Sequence, residues 1–440
     1  MKKLIRFLTS KIKYIILIYG LIQLVLILTI RSEYKSDALY YYKLAQECVE
    51  QNEFYPAQQH LYEDYIVAPL YINMLIILLK IFNSTITLSF FNLCVILLQI
   101  LVLYKITSKI FSERIAGLTI LLLILYINTV GLMLQNYTEL FFLLLITASI
   151  YLFILNKNVL SIMSGILLGA AIAVRPAGWA FLLAFITIQI FKSIKDKKIL
   201  ISYIYVYAGT LIFIILFGGF TFLHFGIFEF TSTTGPVNLL LGANDDATGA
   251  FKSTVLERGR AGYIEEPESL TYIQKGEFYN DKAIKWIKEN PVGWLSLAPP
   301  KLLHSYGWDD ISLSSLMGFN NTNLLRVMRI LISDRDLEKA LPNSTLTDKA
   351  LYFSILVISH LYYYFLLFAI ILGIYNVFKS KLNTDETSLI LLFSLFATLM
   401  IMITVGTPRY KYPMFILMFP FAAYYIENKI EIRKQRVERN

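Results

Sequence analysis

Charged residues are scarce in this sequence, at 16% of its 440 residues against about 25% in ordinary soluble domains. Hydrophobic residues make up 57%, so the composition excludes an ordinary soluble protein. Cysteine is scarcer still: Cys48 lies in a predicted loop and Cys94 in an apolar run, and we predict that the two do not pair. The spacing of cysteine and histidine indicates no structural zinc site. A fold held together by disulfides or zinc is therefore not expected.

The sequence contains separate apolar runs that are each long enough to form a membrane helix. A helix of about 20 residues crosses a bilayer core of roughly 30 Å, so the sequence predicts an all-α polytopic membrane protein. Read as helices, the eleven runs are Tyr14–Ile30, Ile66–Phe82, Ile86–Tyr104, Ile115–Met133, Thr138–Leu155, Val159–Val174, Pro176–Phe191, Ile199–Leu223, Ala350–Phe378, Thr387–Val405 and Tyr410–Ile426.

Basic residues between the runs predict the side of the membrane on which each connection lies, because Lys and Arg are enriched in cytoplasmic connections. The clusters are the N-terminus, Lys105–Arg114, Lys192–Lys198, Lys379–Lys381 and the C-terminal tail. The net charge of +9 therefore reflects membrane topology, and no nucleic-acid partner is predicted.

Placing every basic cluster in the cytoplasm gives about ten spans, with both termini on that side. Only one crossing then fits between Arg31 and Lys105, although two apolar runs lie there. We therefore predict that Ile66–Phe82, with Pro69 near its start, is a re-entrant or interfacial helix in the first outer loop. Eleven spans are the alternative, which would place the Lys105 cluster or the tail outside.

This topology divides the chain into three regions. They are an N-terminal transmembrane module over 1–223 with its first outer loop at 31–65, a large extracytoplasmic loop region over 224–349, and C-terminal helices with a basic cytoplasmic tail over 350–440. In the outer region, Tyr279, Ala283 and Trp286 fall on one helical face and predict an amphipathic helix that ends at Asn290. A second, shorter one is predicted over Leu324–Leu331.

Acidic residues near the ends of the apolar runs are candidates for function, because charge at this depth is costly. Asp37 lies in the first outer loop, and Glu139 lies at the outer end of a predicted span. The alternative interpretations are a solvated loop acid for Asp37 and an acid that complements the helix dipole for Glu139.

Two further positions carry cations. Arg175-Pro176 interrupts a long apolar stretch, where proline cannot continue a helix and the arginine needs a partner or a water-filled cavity. Arg175 is also compatible with a structural role, paired with a carboxylate such as Glu139. Arg409 and Lys411 lie at an outer helix start, where the helix dipole disfavours cations. An external anion would resolve that conflict.

These acids and cations suit transfer from a lipid phosphate. A carboxylate acts as a general base toward a hydroxyl, and Arg and Lys hold a phosphate through charge-assisted hydrogen bonds. Outer cations and a broken helix suit anion translocation equally well. On these residues alone, a transporter or flippase for an anionic lipid is favoured over a transferase.

Short motifs between the predicted helices, from about Arg31 to Ile426, favour a transferase over a transporter. They are Ser36-Asp37-Ala38-Leu39-Tyr40-Tyr41, Ala68-Pro69-Leu70-Tyr71, Tyr137-Thr138-Glu139-Leu140-Phe141, Gly165 to Pro176, Asn238 to Asn244, Ala283 to Pro291, Pro300-Lys301-Leu302 and Arg409-Tyr410-Lys411-Tyr412-Pro413. Their order resembles the membrane module of the C-type (GT-C) glycosyltransferases. It is most similar to the protein O-mannosyltransferases and the lipid A aminoarabinose transferases.

The resemblance implies a GT-C-like helical module with its active site on the outer face of a bacterial plasma membrane. Such an enzyme transfers a sugar, with inversion, from a polyprenyl-phosphate carrier to the hydroxyl of a glycan, lipid or protein acceptor. The first-loop acid of the family corresponds to Asp37 as general base. Because Ala38 follows it where many relatives have a second acid, a metal bridging adjacent carboxylates is not expected. A role for Mg²⁺ or Mn²⁺ stays open.

The candidate residues fall into three predicted roles. Asp37 and Glu139 are the candidate catalytic acids, and Arg175, Lys301 and Arg409 are the candidate ligands of the donor phosphate. Tyr40, Tyr41, Asn238, Asn244, His304 and Tyr410 are the candidate substrate-binding residues, and no metal ligand is assigned. A lipid-linked polysaccharide polymerase or ligase is the alternative enzyme, and it would not need the first-loop acid.

Overall fold

The structure, a computed structural model, describes residues 9–30, 34–197, 200–309, 345–380, 382 and 384–439. Within these ranges the chain is built of helices, and its only bridge of strand type joins Ala250 to Gly406. The α-helices, numbered in chain order, are α1 Ile12–Thr29, α2 Asp37–Gln51, α3 Pro69–Ile81, α4 Thr85–Ile110, α5 Glu113–Ile124, α6 Asn128–Leu134, α7 Thr138–Ile154, α8 Asn158–Val174, α9 Gly178–Asp196, α10 Ile201–Phe225, α11 Gly235–Leu241, α12 Tyr272–Glu289, α13 Pro291–Ser296, α14 Ala298–Tyr306, α15 Leu346–Lys379, α16 Asp385–Ile403, α17 Tyr412–Leu417 and α18 Phe419–Arg439.

Six of these helices are long and apolar enough to cross a membrane: α1, α4, α9, α10, α15 and α16. Helices α5 and α6 together would make a seventh span, and α3, α7 and α8 are shorter apolar helices. The prediction of an all-α polytopic membrane protein is confirmed. The count of ten spans stays a prediction.

Helices α4 and α7 run in the same direction through the bundle. Asn92, early in α4, donates to Asn136 just before α7 (3.1 Å), and Thr147 of α7 donates to Gln99 (2.8 Å). Near the far end of α4, the Lys105 ammonium lies 5.5 Å from the ring centroid of Tyr151. The basic turn after α4 and the start of α7 therefore lie at opposite ends of the bundle, as the predicted topology requires.

The predicted continuous helix over Ile115–Met133 is interrupted in the structure, where α5 and α6 meet at 64°. Asn128, the first residue of α6, donates to the main-chain oxygen of Asp309 (2.6 Å) and to its carboxylate (2.8 Å). Tyr126, between the two helices, also donates to that carboxylate. These bonds fix the bend through a residue that lies more than 180 positions later in the chain.

Helices α8 and α10 cross at two glycines. A Cβ on Gly165 would collide with the carbonyl of Val206, and one on Gly209 would collide with the carbonyl of Ile162. Small residues at such a crossing let two membrane helices pack backbone to backbone. The crossing fixes α8, which ends immediately before Arg175.

The first outer loop folds back on the bundle through α2 and α3. Helix α3 begins with Pro69 at its first turn, where the missing N–H costs nothing. Asn73 accepts from the main-chain nitrogen of Tyr55 (2.9 Å), and the Tyr71 hydroxyl donates to the main-chain oxygen of Asn136 (3.0 Å). The run predicted as re-entrant or interfacial is thus a 13-residue helix with a buried face.

The region predicted to be extracytoplasmic, 224–349, which we call the outer region, contains the amphipathic helix predicted near Tyr279. It is α12, which begins with a capping box between Thr271 and Gln274 and buries Tyr279 and Ala283. From α12, the buried Lys275 donates to the main-chain oxygen of Tyr62 (2.6 Å) and so ties the outer region to the first outer loop. The second predicted amphipathic helix, over 324–331, lies outside the described residues.

Candidate active site

Four charged side chains from separate segments meet at one end of the bundle. Residues before proline disfavour the helical conformation, so α8 ends at Val174 and Arg175 is extended (φ −149°, ψ 135°). Glu139 lies in the first turn of α7, and Asp37 is the first residue of α2. Arg409 lies in a 3₁₀ turn between α16 and α17.

These residues, Asp37, Glu139, Arg175 and Arg409, form what we call the four-charge cluster. One oxygen of Glu139, Oε1, lies 2.6 Å from Nη1 of Arg175 and 2.8 Å from Nε of Arg409. Nη2 of Arg409 pairs in turn with Asp37. The alternative interpretation of Arg175, a pair with Glu139, is thus present in the structure. Two cations balance two acids, as the high cost of charge away from water requires.

Aromatic rings hold the two guanidinium groups from their faces. Arg409 lies 4.2 Å from the ring centroid of Tyr137, and Arg175 lies 5.3 Å from that of Tyr410. Arg175 also donates to the Thr138 hydroxyl at 2.7 Å. Cation–π contacts and this hydrogen bond restrict both arginines to one orientation.

The two acids of the cluster differ in their access to solvent. The side chain of Glu139 is fully buried, whereas that of Asp37 is 44% exposed. Burial would raise the pKa of Asp37, but the Arg409 and Arg175 guanidinium groups, together with a hydrogen bond from Ser36, outweigh that effect and hold the pKa of Asp37 below its usual value. Asp37 is therefore ionised at neutral pH and reachable, while Glu139 supports the arginines from behind.

Asp37 follows a residue in an unusual backbone conformation. Ser36 has φ 53° and ψ −133°, a region that residues with a Cβ seldom occupy. Such a conformation persists only where the surrounding structure enforces it, and it occurs often at functional sites. Here it sets the start of α2 so that Asp37 meets Arg409.

A cavity of about 280 Å³ lies against the cluster and is lined by Asp37, Arg175 and Arg409. Membrane helix α16 contributes apolar lining through Phe393 and Met400. The outer region adds its own lining residues: Thr234, Val237, Asn238, Leu241, Phe251 and Leu256. The cavity therefore opens between a membrane helix and the outer region, with charged groups beside apolar surface.

The structure brings most of the predicted site residues to this cavity. Besides the three charged residues, Tyr40, Tyr41, Asn238 and Tyr410 line it. Glu139 lies behind the arginines and does not line it.

The remaining three predicted residues lie away from the cavity lining. Lys301 is fully buried and donates to the main-chain oxygens of Met402 (3.1 Å) and Ile403 (3.2 Å) at the end of α16, and burial lowers its pKa to about 8. Asn244 donates to the main-chain oxygen of Leu240 (2.8 Å) at the end of α11. His304 packs its ring against Trp308, with 5.3 Å between the ring centroids. The polar atoms of Lys301 and Asn244 stabilise helix ends.

Sequence reasoning missed a second buried ion pair close to the cluster. Lys411 is fully buried, with its ammonium 2.9 Å from Asp309 Oδ1 and 2.7 Å from the main-chain oxygen of Trp308. The two cations that the helix dipole disfavours therefore have carboxylate partners within the chain: Arg409 has Asp37 and Glu139, and Lys411 has Asp309. No local sequence signal joins Lys411 to an acid about 100 positions earlier.

Comparison with known proteins identifies the architecture. No family model matches the sequence, and no curated protein matches it. Solved structures of the oligosaccharyltransferase of the archaeon Archaeoglobus fulgidus do match. Its apo form has a TM-score of 0.51 at 14% identity over 96% of this chain and 52% of that protein. This chain has the GT-C fold.

Two further structures of the same oligosaccharyltransferase are similar to this GT-C chain. One, in complex with an inhibitory peptide and a dolichol-phosphate, has a TM-score of 0.50 at 14% identity over 97% of this chain and 52% of that one. The other, in complex with Zn and sulfate, has a TM-score of 0.50 at 14% identity over 96% and 50%. The chain spans about half the length of the proteins that it matches.

The described residues of this GT-C chain do not fit a divalent cation at the cluster. Among them, no three His, Cys, Asp or Glu side chains lie close enough to share a metal ion. Both carboxylates of the cluster are bound to arginines. The groups that point into the cavity from the cluster suit an anion better than a cation.

Proposed function

We propose that this protein is a membrane glycosyltransferase that moves a sugar from a polyprenyl-phosphate-linked donor to an acceptor hydroxyl at the outer membrane surface, with inversion. The observation that carries this proposal is the cavity in which an exposed carboxylate, Asp37, faces two arginines, Arg175 and Arg409. The GT-C fold supports the proposal because the solved structures that share it belong to a glycosyltransferase, an oligosaccharyltransferase.

The donor is expected to bind through its phosphate and its lipid chain. Arg175 and Arg409 present guanidinium groups to the cavity, and guanidinium matches the geometry of phosphate oxygens. The apolar residues of α16 that line the same cavity, Phe393, Ala397 and Met400, offer a surface for the lipid chain. A similar fold in complex with a dolichol-phosphate agrees with a donor of this class.

The reaction that fits this geometry is a single displacement at C1 of the sugar. The acceptor oxygen forms the new bond to C1 while the bond from C1 to the phosphate oxygen breaks, so the configuration at C1 inverts. The acceptor proton passes to the Asp37 carboxylate, and the lipid phosphate leaves with one additional negative charge. Arg175 and Arg409 stabilise that charge, so the leaving group needs no proton.

The acceptor is expected to enter from the side of the outer region. Asn238 and Phe251 line the cavity there, opposite the apolar residues of membrane helix α16. The tyrosines at the cavity, Tyr40, Tyr41 and Tyr410, combine a ring surface with a hydroxyl, which suits contacts with sugars. The outer region would therefore determine which hydroxyl is used.

The proposal is tested by Asp37→Asn in purified protein in nanodiscs with a labelled polyprenyl-phosphate sugar. The variant keeps the shape of the side chain but not its basicity, so transfer should fall by about 10² to 10⁴ or more. Glu47→Gln, which removes an exposed acid from the same helix, is the matched control and should keep normal transfer.

Other outcomes would change the assignment. If Asp37→Asn transfers sugar normally while Glu139→Gln is inactive, Glu139 is the base. If wild-type protein in liposomes moves the labelled lipid across the membrane and forms no product, the protein is a transporter.

A further inference from the structure

We propose that the donor phosphate displaces Asp37 from Arg409, so that binding of the donor is the event that releases the catalytic base. This inference rests on the proposed function and adds a regulatory step to the same site. It depends on which nitrogens of the Arg409 guanidinium group Glu139, Asp37 and the phosphate contact.

Arg409 is held in place from the side that faces the bundle. Its Nε lies 2.8 Å from the fully buried Glu139, and its face lies 4.2 Å from the ring centroid of Tyr137. Nη2 pairs with Asp37 at the cavity, and together with Nη1 it forms the end of the planar group that can hold two oxygens of one phosphate. Because Nε cannot leave Glu139 without losing a buried ion pair, a phosphate bound at this end shares Nη2 with Asp37.

Because of the charges in the cluster, Asp37 and the donor phosphate compete for Arg409. Two arginines and two carboxylates balance in the donor-free chain. A phosphodiester donor adds one negative charge next to Asp37, and like charges at close range repel. Arg409 therefore cannot neutralise both anions as well as it neutralises either alone.

The exchange matches the movement of charge during transfer. As the bond from C1 to the phosphate oxygen breaks, the phosphate gains a negative charge, while Asp37 loses its charge on accepting the acceptor proton. An Arg409 side chain that has exchanged Asp37 for the phosphate is then already placed where the new charge develops.

The exchange also restricts when Asp37 can act as a base. Without donor, Arg409 lowers the pKa of Asp37 and so weakens its basicity. Once Arg409 bonds to phosphate, that effect is reduced and Asp37 becomes a stronger base. The base is thus strongest when a sugar donor occupies the site.

The test measures binding of a polyprenyl monophosphate, without sugar, to purified protein in nanodiscs. If Asp37 competes with phosphate for Arg409, Asp37→Asn should bind the lipid phosphate about tenfold more tightly than wild type, since adjacent charges couple strongly. Asp37→Ser is a second variant that removes the charge, and it should show the same gain. Glu47→Gln should bind like wild type.

A double-mutant cycle with Arg409→Ala identifies the shared partner. Arg409→Ala alone should bind more weakly, and Asp37→Asn should add a clearly smaller gain in its background, because only the direct repulsion between the carboxylate and the phosphate is then relieved. An equal gain in both backgrounds would overturn the exchange. Equal or weaker binding by both Asp37→Asn and Asp37→Ser would overturn the exchange while leaving the phosphate site intact. If wild type and Arg409→Ala bind lipid phosphate equally, the phosphate site of the proposed function is wrong as well.

Discussion

Arg409 joins the two acids of the four-charge cluster, because Nε of its guanidinium group meets Glu139 and Nη2 meets Asp37. Its position in a 3₁₀ turn, and not within a helix, lets the side chain reach both. Arg175 meets Glu139 but has the Thr138 hydroxyl as its further partner. Arg409 is therefore the side chain that links the exposed acid of the cluster, Asp37, to the buried acid, Glu139.

Replacing Arg409 should affect transfer strongly. Arg409→Ala removes a cation that stabilises the departing phosphate, so we expect kcat/KM to fall by about 10² to 10³. Arg409→Lys should recover only part of this loss, because an ammonium cannot reproduce the separate contacts of Nε and Nη2 on a planar guanidinium group. Single-turnover transfer in nanodiscs measures both variants. Arg260→Ala, which removes an exposed partner of Asp246, is the control and should transfer normally. Normal transfer by folded Arg409→Ala would contradict the assignment.

The sequence indicated which charged residues meet at the cluster and offered the pair of Arg175 with Glu139, but it did not indicate the pair of Arg409 with Asp37. Asp37 and Arg409 stood out because each lies beside an apolar run, yet they are 372 positions apart and nothing local links them. Lys301 and Asn244 looked equivalent to the cavity residues as polar groups in short motifs. Only the fold shows that their polar atoms bond to main-chain oxygens at helix ends.

At the scale of secondary structure, Lys301 connects α14 to the end of α16. Its ammonium meets the last main-chain oxygens of α16, where the helix dipole attracts a cation. We expect Lys301→Met to lower the stability by about 1.5–3 kcal/mol, because the hydrogen bonds of a charged group are lost. Thermal unfolding in detergent measures this change, and Lys285→Met, on exposed α12 surface, is the control.

A measurement of donor binding distinguishes the structural role of Lys301 at the end of α16 from its predicted role as a ligand of the donor phosphate. Lys301→Met should bind polyprenyl phosphate with nearly the wild-type affinity, since Lys301 does not line the cavity. A loss of affinity as large as that of Arg409→Ala, with an unchanged melting temperature, would show that Lys301 binds the donor phosphate after all.

The crossing of α8 and α10 gives a prediction with an internal control. Gly209→Ala places a Cβ against the carbonyl of Ile162, and such overpacking costs typically about 1–3 kcal/mol. Gly219→Ala makes the same change in the same helix where no atom lies within 4 Å of the new Cβ. We expect the first variant to unfold at a lower temperature and the second to match or exceed wild type. Equal melting temperatures would mean that the helices do not cross at Gly209.

The length of the apolar runs predicted where the helices lie, but it did not predict where a helix is interrupted. Runs of suitable length predicted α7 and α10 closely, because burial of apolar surface in lipid depends only on local composition. The bend between α5 and α6 depends on Asn128 and Tyr126 meeting Asp309 in the outer region. A contact between such distant segments leaves no mark in the local pattern.

For the whole molecule, the parallel course of α4 and α7 places the basic end of α4 and the four-charge cluster at opposite ends. At the end with the basic turns, Arg114 pairs with Glu427 at 2.8 Å, and Lys192 pairs with Asp385. The molecule thus separates its basic turns from the cavity across the full length of the bundle.

Membrane topology can be measured by single-cysteine labelling in a background that lacks Cys48 and Cys94. Ser108→Cys, in the last turn of α4 within the basic cluster, should resist an impermeant reagent added to intact cells. Ser269→Cys, exposed in the outer region, should react with it. Labelling of Ser108→Cys from outside would contradict the predicted orientation.

The distance in sequence between Asp37 and Arg409 also determines when the cluster can form during synthesis. The two residues are separated by 372 positions, which at about 5–20 residues per second takes roughly 20 to 75 seconds to translate. Glu139 and Arg175 are synthesised early in that interval and can pair with each other, whereas Asp37 still lacks its partner Arg409. A nascent chain therefore contains the proposed general base long before it contains the arginine that pairs with it, and the four-charge cluster is complete only after Arg409 has been synthesised.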